Sequence, residues 1–166
     1  MTAATELLLD TPGLADGAEM WRIARDSEIL DLNSSYSYLL WCRDFSRTSV
    51  VARDGGGRPV GFVTGYVRPD SPRTLVVWQV AVDRSHQGRG IAAQMLDDLA
   101  MRGAAEGVYQ LETTITPGNE ASQRLFTSFG ERHGALVQRQ ELFDETLFPK
   151  GQSHEPEVLY RIGPLT

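Results

Sequence analysis

The stretch VWQVAVDRSHQGRGIAAQMLDDLAMRGAAEG, residues 77–107, runs from an apolar strand-like segment through a glycine pair, Gly88 and Gly90, into an amphipathic helix. A glycine turn that opens a helix presents unpaired backbone N–H groups and the positive end of the helix dipole, so its natural guest is a phosphate or another anion. Which phosphate depends on what surrounds the turn.

Upstream of the turn, residues 75–82 are apolar on both faces, which predicts a central strand. That strand closes a meander: residues 48–53, the turn DGGGRP (54–59), residues 60–67, and a second break at RPDSPR (68–73). Further upstream, residues 6–10 read as a short strand ended by Pro12 and Gly13. Leu14, Ala18, Trp21 and Arg25 then fall at helical spacing and predict a helix over 14–27 with Trp21 in its buried stripe. In ILDLNSSYSYLLWCRDF (29–45), Asn33 or Ser34 can cap a second helix that carries Tyr36, Leu39, Leu40 and Cys42 inward. Downstream of Gly90, the residues Ile91, Met95, Leu96 and Leu99 share one helical face. A strand over 108–115 ends at Pro117 and Gly118. A last helix over 119–129 carries Ala121, Leu125, Phe126 and Phe129, and strands over 136–142 and 158–162 flank the loop FDETLFPKGQSHEPE. Strand, two helices, three antiparallel strands, helix, strand, helix and two strands make a mixed α/β sandwich, not a regularly alternating doubly wound sheet.

The chain has 166 residues, 41% of them hydrophobic and 23% charged, which suits one globular domain, residues 1–166, with a core of its own. No run reaches the roughly 18 apolar residues of a membrane span. Residues 1–11 show neither a basic stretch nor a continuous apolar stretch of the signal-peptide kind, and the lone cysteine, Cys42, has no internal disulfide partner. A reducing cytoplasm is the expected location. A formal charge of −6 argues against general nucleic-acid binding, which needs a basic face over many phosphates.

Three glycine loops compete for the turn. The nucleotide P-loop G-x-x-x-x-G-K-[ST] fails, because no Lys-Ser or Lys-Thr follows these glycines. Gly88, Gly90 and Ala93 satisfy the dinucleotide pattern G-x-G-x-x-A. That pattern, however, belongs at a first strand with an acid at the tip of the next, whereas here it follows a meander and the insert DRSHQ, and Glu112 lies inside its strand. Gln87-Gly88-Arg89-Gly90-Ile91-Ala92 matches [RQ]-x-x-G-x-[GA], between the fourth strand and the third helix, and NEASQRLFTSFG (119–130) follows about thirty residues later. Together these two segments resemble the Gcn5-related N-acetyltransferases. The resemblance implies that superfamily's fold, a mostly antiparallel mixed central sheet flanked by four helices, and the pyrophosphate of acetyl-coenzyme A as the guest. Glycines at 88 and 90 let the backbone approach a pyrophosphate with no Cβ in the way, and Arg84 and Arg89 can add positive charge. Asn119 and Phe126 belong to the second segment and are assigned to the coenzyme with it.

A narrower resemblance covers nearly the whole chain. EILDLNSSYSYLLWCRDFSRTSVVA (28–52), LVVWQVAVD (75–83) and SHEPEVLYRI (153–162) are similar to the L-2,4-diaminobutyrate acetyltransferases of ectoine biosynthesis. That family moves acetyl from acetyl-coenzyme A to the γ-amine of L-2,4-diaminobutyrate, making the compound that ectoine synthase cyclises. The resemblance implies a homodimer, places Val80, Ala81 and Val82 near the acetyl group, and puts Phe126 where superfamily members often carry a tyrosine that protonates the thiolate. Phenylalanine has no proton to give, so the acid is left open among Tyr36, Tyr38, Tyr160 and water. An acceptor with two amines and a carboxylate calls for acids and a polar donor, and Asp31, Asn33 and Glu157 are the candidates, with Trp78 and His154 beside them. Whether Glu155 or Glu157 points inward is left open by Pro156. His86, His133, His154 and Cys42 have no metal-ligand spacing, so no metal is expected. Two other functions compete: acetylation of a different amine, and a non-catalytic sensor of acyl-coenzyme A, which Phe126 favours.

Overall fold

The computed structural model describes residues 6–28 and 30–165. The reading of the chain's start therefore lies partly outside the described residues, as does Ile29 of the 28–52 block. Seven strands and four α-helices follow in the order β1 (Leu8–Asp10), α1 (Gly17–Ser27), α2 (Ser35–Asp44), β2 (Val50–Arg53), β3 (Pro59–Arg68), β4 (Ser71–Val82), α3 (Ile91–Ala105), β5 (Gln110–Ile115), α4 (Glu120–Arg132), β6 (Leu136–Phe143) and β7 (Glu157–Gly163). Hydrogen-bonded neighbours run β1-β2-β3-β4-β5-β7-β6, so β4 is central, as its two-sided apolar pattern requires. The chain forms two compact units, Met1–Tyr66 with Val77–Arg102, and Val67–Val76 with Gly103–Thr166.

In the first unit, β2 and β3 form an antiparallel hairpin with Val51 opposite Phe62. Asp54 makes the turn: its Oδ1 accepts from the N–H groups of Gly56 and Arg58, each at 2.9 Å, and its carbonyl accepts from Gly57 N at 2.9 Å. Met20, Ile23, Ala24, Tyr38, Cys42, Phe62 and Ala81 pack into one core cluster, with Trp21 partly buried against it. Two expected stripes sit rotated from their predicted positions. On α1, which begins at Gly17 after a 3-10 turn over Leu14–Asp16, the buried residues are Gly17, Met20, Ile23 and Ala24, while Ala18 and Arg25 face outward, as does Leu14 in the turn. On α2 the buried residues are Tyr38 and Cys42, and Tyr36 and Leu39 are exposed. Both helices are short, and apolar residues on two faces of a short helix leave the period without a unique phase. Thr48 belongs to a 3-10 turn ahead of β2, and the break at 68–73 shrinks to Pro69 and Asp70 because β4 already begins at Ser71.

In the second unit, β7 lies between β5 and β6 and is antiparallel to both, pairing Glu112 with Arg161 and Arg139 with Tyr160. The Glu112 carboxylate, buried, receives Arg161 Nη2 at 3.2 Å. On α4 the inward side chains are Phe126 and Phe129, and Ala121, expected inward, is exposed. Gly130 ends the buried face because a Cβ there would stand 2.5 Å from Val137 Cγ2. No described helix is long and apolar enough to cross a membrane.

Candidate active site

The glycine turn leaves β4 at Val82 and reaches α3 at Ile91, with every residue from Gln87 to Gly90 exposed. Gly88 has φ +79° and Gly90 φ +73°, and no protein atom lies within 4 Å of where a Cβ would stand at either. The left-handed backbone, which a side chain would strain, is what requires glycine here. Gln94 N donates to Gly90 O at 3.1 Å, which makes Gly90 the residue that accepts the first helical bond. The N–H groups of Ile91, Ala92 and Ala93 then precede the first donor of the helix, the arrangement that favours an anion. Gln87 Nε2 donates back to Val82 O at 3.2 Å and ties the turn to the end of β4. Arg89 sits between the glycines, exposed; Arg84 faces Glu28 at 3.4 Å. This donor set fits a pyrophosphate.

The end of β4 alternates. Val77, Gln79 and Ala81 are buried, with Ala81 in the core cluster, whereas Val80 and Val82 are half-buried and Trp78 is 38% exposed. Any part Ala81 plays toward an acetyl group therefore falls to its backbone. Trp78 stacks on Trp41, ring centroids 5.0 Å apart and planes within 10°. Tyr38, expected only as one of three tyrosines, is fully buried, its ring edge-on to Phe62 and its hydroxyl 2.8 Å from Gln79 Oε1. Burial pushes its phenol above the usual value, and a hydrogen bond from Asn33 offsets part of the rise. Gln79 Nε2 in turn donates to the Asp31 carbonyl at 3.1 Å, and Asn33 Nδ2 donates to the same oxygen at 3.2 Å. Asp31, Asn33 and Tyr38 are thus brought together, and Tyr36, 65% exposed on the first turn of α2, stands apart from that set. Gln79 and Trp41 went unread in the sequence. The signal for Gln79 was an amide set two residues from Val77 and from Ala81 in an apolar strand.

In the second unit, Asn119 caps α4, its Oδ1 accepting from Ser122 N at 3.1 Å, and Phe126 is 2% exposed. His154 stacks on Phe148 with centroids 3.8 Å apart, and its Nδ1 meets the Glu155 carbonyl. The Glu155 carboxylate lies over Gly118, where a Cβ would come within 3.1 Å of it. Strand β7 starts at Glu157, half-buried, so strand alternation does not link the two acids. Tyr160, buried on β7, lies under the Arg139 guanidinium at 5.1 Å.

The Cys42 thiol is pushed up to about 11 by burial and by the charge of Asp16, and its Sγ is 3.6 Å from Met20 Sδ. It is a packing residue at neutral pH, without thiolate character. Among the described residues, no three of His, Cys, Asp and Glu come together as a metal site.

A central strand that runs through a left-handed glycine turn into a helix, in a mixed α/β sheet, fits an acyl-coenzyme-dependent transferase. The chain belongs to the acetyltransferase (GNAT) family, whose model matches residues 16–130. It is 68% identical over 168 residues to the L-2,4-diaminobutyric acid acetyltransferase of Streptomyces coelicolor, covering 100% of this chain and 98% of that one. It is 45% identical to the protein of the same name from Marinococcus halophilus, over 96% of this chain and 91% of the relative. Among solved structures it is similar to the diaminobutyrate acetyltransferase EctA from Paenibacillus lautus, in complex with its substrate L-2,4-diaminobutyric acid and coenzyme A. The TM-score is 0.91 and the identity 40%, over 97% of this chain and 96% of that one.

Proposed function

We propose that the chain transfers acetyl from acetyl-coenzyme A to the 4-amino group of L-2,4-diaminobutyrate, giving N4-acetyl-L-2,4-diaminobutyrate for ectoine synthesis. The observation that carries the reading is the match along the full chain to a diaminobutyrate acetyltransferase, 68% identical. The exposed turn with its two left-handed glycines supplies the coenzyme half of it. When bound, acetyl-coenzyme A brings the acetyl group as a thioester. The turn from Gln87 to Ala92, the first N–H groups of α3 and Arg89 hold its pyrophosphate, and the backbone from Val80 to Val82 leads to the reacting end.

On the acceptor side the candidates are Asp31 and Asn33 with Trp78 in the first unit, and Glu157 with His154 in the second; the two acids pair with ammonium groups. The attacking amine must be neutral, so one carboxylate or a water takes its proton. The proton that the leaving sulfur needs comes from a tyrosine or from water, because Phe126, buried in α4, has none to give. The chain works as one domain and as a homodimer in the reducing cytoplasm. A relative matched over 98% of its length supports the first, the family resemblance the second, and a single buried cysteine the third.

The test is turnover. Purified protein is incubated with acetyl-coenzyme A and a panel of diamines, with free thiol followed and products identified by mass spectrometry. Rapid thiol release with L-2,4-diaminobutyrate alone supports the proposal. Turnover with another amine instead would make the chain a different acetyltransferase, and coenzyme binding without turnover a sensor, the reading that Phe126 favours. Sedimentation velocity checks the dimer.

A further inference from the structure

Gln79 is an amide in an apolar strand, buried on the same face of β4 as Val77 and Ala81. Burying an amide is costly unless its side chain is fully paired, and here both ends are used. Its Oε1 faces the Tyr38 hydroxyl at 2.8 Å and its Nε2 the Asp31 carbonyl at 3.1 Å. The direction of each bond is forced. A backbone carbonyl only accepts, so the NH2 end of Gln79 must face Asp31; that leaves Oε1 toward Tyr38, whose hydroxyl must donate. Asn33 closes the ring, donating to the same Asp31 carbonyl at 3.2 Å and bonding to the Tyr38 phenol.

We infer that Gln79 is a positioning residue for the acceptor: it pins the backbone of Asp31 to β4 and so fixes where the Asp31 carboxylate meets the substrate. The inference rests on the proposed function, in which Asp31 binds diaminobutyrate. The described residues between α1 and α2 form no regular structure, and Glu28, at the end of α1, turns the chain with φ +57°. A loop left loose must be ordered when the substrate binds, at a cost in conformational entropy that a built-in pin removes beforehand. Position matters as much, since a carboxylate displaced by about 1 Å from an ammonium group loses much of a directional bond. Tyr38 has a matching task. Its proton is committed to Gln79 and keeps the amide from turning over, so the proton that the leaving sulfur takes comes from elsewhere.

Two variants test the pin. Gln79→Met keeps the length of the side chain without a polar atom, and Tyr38→Phe keeps the ring against Phe62 and removes only the hydroxyl. Steady-state kinetics with each substrate varied, calorimetric titration of coenzyme A and melting temperature are measured for both and for the double variant. The expected result is a KM for diaminobutyrate raised about tenfold in Gln79→Met and about threefold in Tyr38→Phe. Turnover number and coenzyme affinity stay within about twofold, and the double variant is no worse than Gln79→Met, because the two groups act in series. A turnover number that falls in Tyr38→Phe at constant KM would make Tyr38 the proton donor and overturn the inference. Unchanged KM for diaminobutyrate, or equal losses for both substrates, would overturn it too. If Gln79→Met does not fold, Tyr38→Phe alone decides. If the wild-type protein does not acetylate diaminobutyrate, the proposed function fails and amide exchange decides the pin: residues 30–34 must exchange faster in the variants than in wild type, with β2 unchanged.

Discussion

At Gly90 the backbone has φ +73° and the space a side chain would occupy contains no protein atom, so conformation and ligand approach, not packing, select glycine. Gly90→Val strains the turn by about 1–3 kcal/mol and sets two methyl groups where an anion's oxygens would come. The variant is expected to fold and to bind coenzyme A about 100-fold more weakly or worse by calorimetry; wild-type affinity in the folded variant would remove the coenzyme from this turn. Asp16 shows the opposite kind of residue, one whose charge is structural. Its carboxylate, buried, takes both ends of the Arg53 guanidinium at 2.6 and 2.8 Å and the Gly13 N–H at 2.7 Å. Burial alone would push Asp16 up, but the Arg53 hydrogen bonds, the Gly13 N–H and the attraction of Arg53 outweigh it and hold the carboxyl below its usual 3.8. A depressed folded value means stability that is present above pH 3.8 and lost as pH falls through the folded value. Arg53→Met should therefore cost about 1.5–3 kcal/mol at pH 5–7. In urea melts across pH, the gap from wild type should narrow below pH 3.8; a gap that does not change with pH would show that the charge is not what matters.

Among the elements, the turn between β4 and α3 was legible because its glycines, its flanking strand and the apolar face Ile91, Met95, Leu96 and Leu99 agree, and all four of those side chains are buried. Strand ends were less so: β4 starts at Ser71, where Pro72 and Arg73 look like a break, because a strand end left in solvent carries no apolar alternation to mark it. The stripes of α1 and α2 sit rotated for a related reason: Tyr36 and Leu39 are large yet exposed, because the partners that decide what is buried come from far along the chain. In the segment leading into α2, Asp31 is held by its carbonyl, and Glu157 opens β7; both are the acids proposed to meet the substrate. A charge-assisted bond to an ammonium group contributes roughly 1.5–3 kcal/mol, so Asp31→Asn and Glu157→Gln should each lower kcat/KM for diaminobutyrate by about 10- to 100-fold with coenzyme affinity nearly unchanged. Wild-type kinetics in both variants would return the two acids to the role of ordinary surface groups.

For the whole molecule, the path of the chain sets an expectation about unfolding. The first unit is built from Met1–Tyr66 and Val77–Arg102, and the segment that interrupts it, Val67–Val76, belongs to the second. The backbone passes from one unit to the other within β3, within β4 and within α3, three regular elements whose ladders and helical bonds would have to break for either unit to melt alone. Two units linked by a single flexible segment could unfold in turn; two that share strands and a helix should unfold together. Calorimetry is expected to show one transition with equal calorimetric and van't Hoff enthalpies. If coenzyme A binds at the turn from Gln87 to Ala92, as proposed, it should stabilise the entire chain: at a hundred times its Kd the gain is about 2.7 kcal/mol, which for a chain of this size raises Tm by roughly 5–11 °C. The same addition to Gly90→Val should raise Tm by no more than about 2 °C. Two resolved transitions, with coenzyme A moving only one of them, would mean that the units are separate domains, and that the turn after β4 stabilises no more than its own half of the chain.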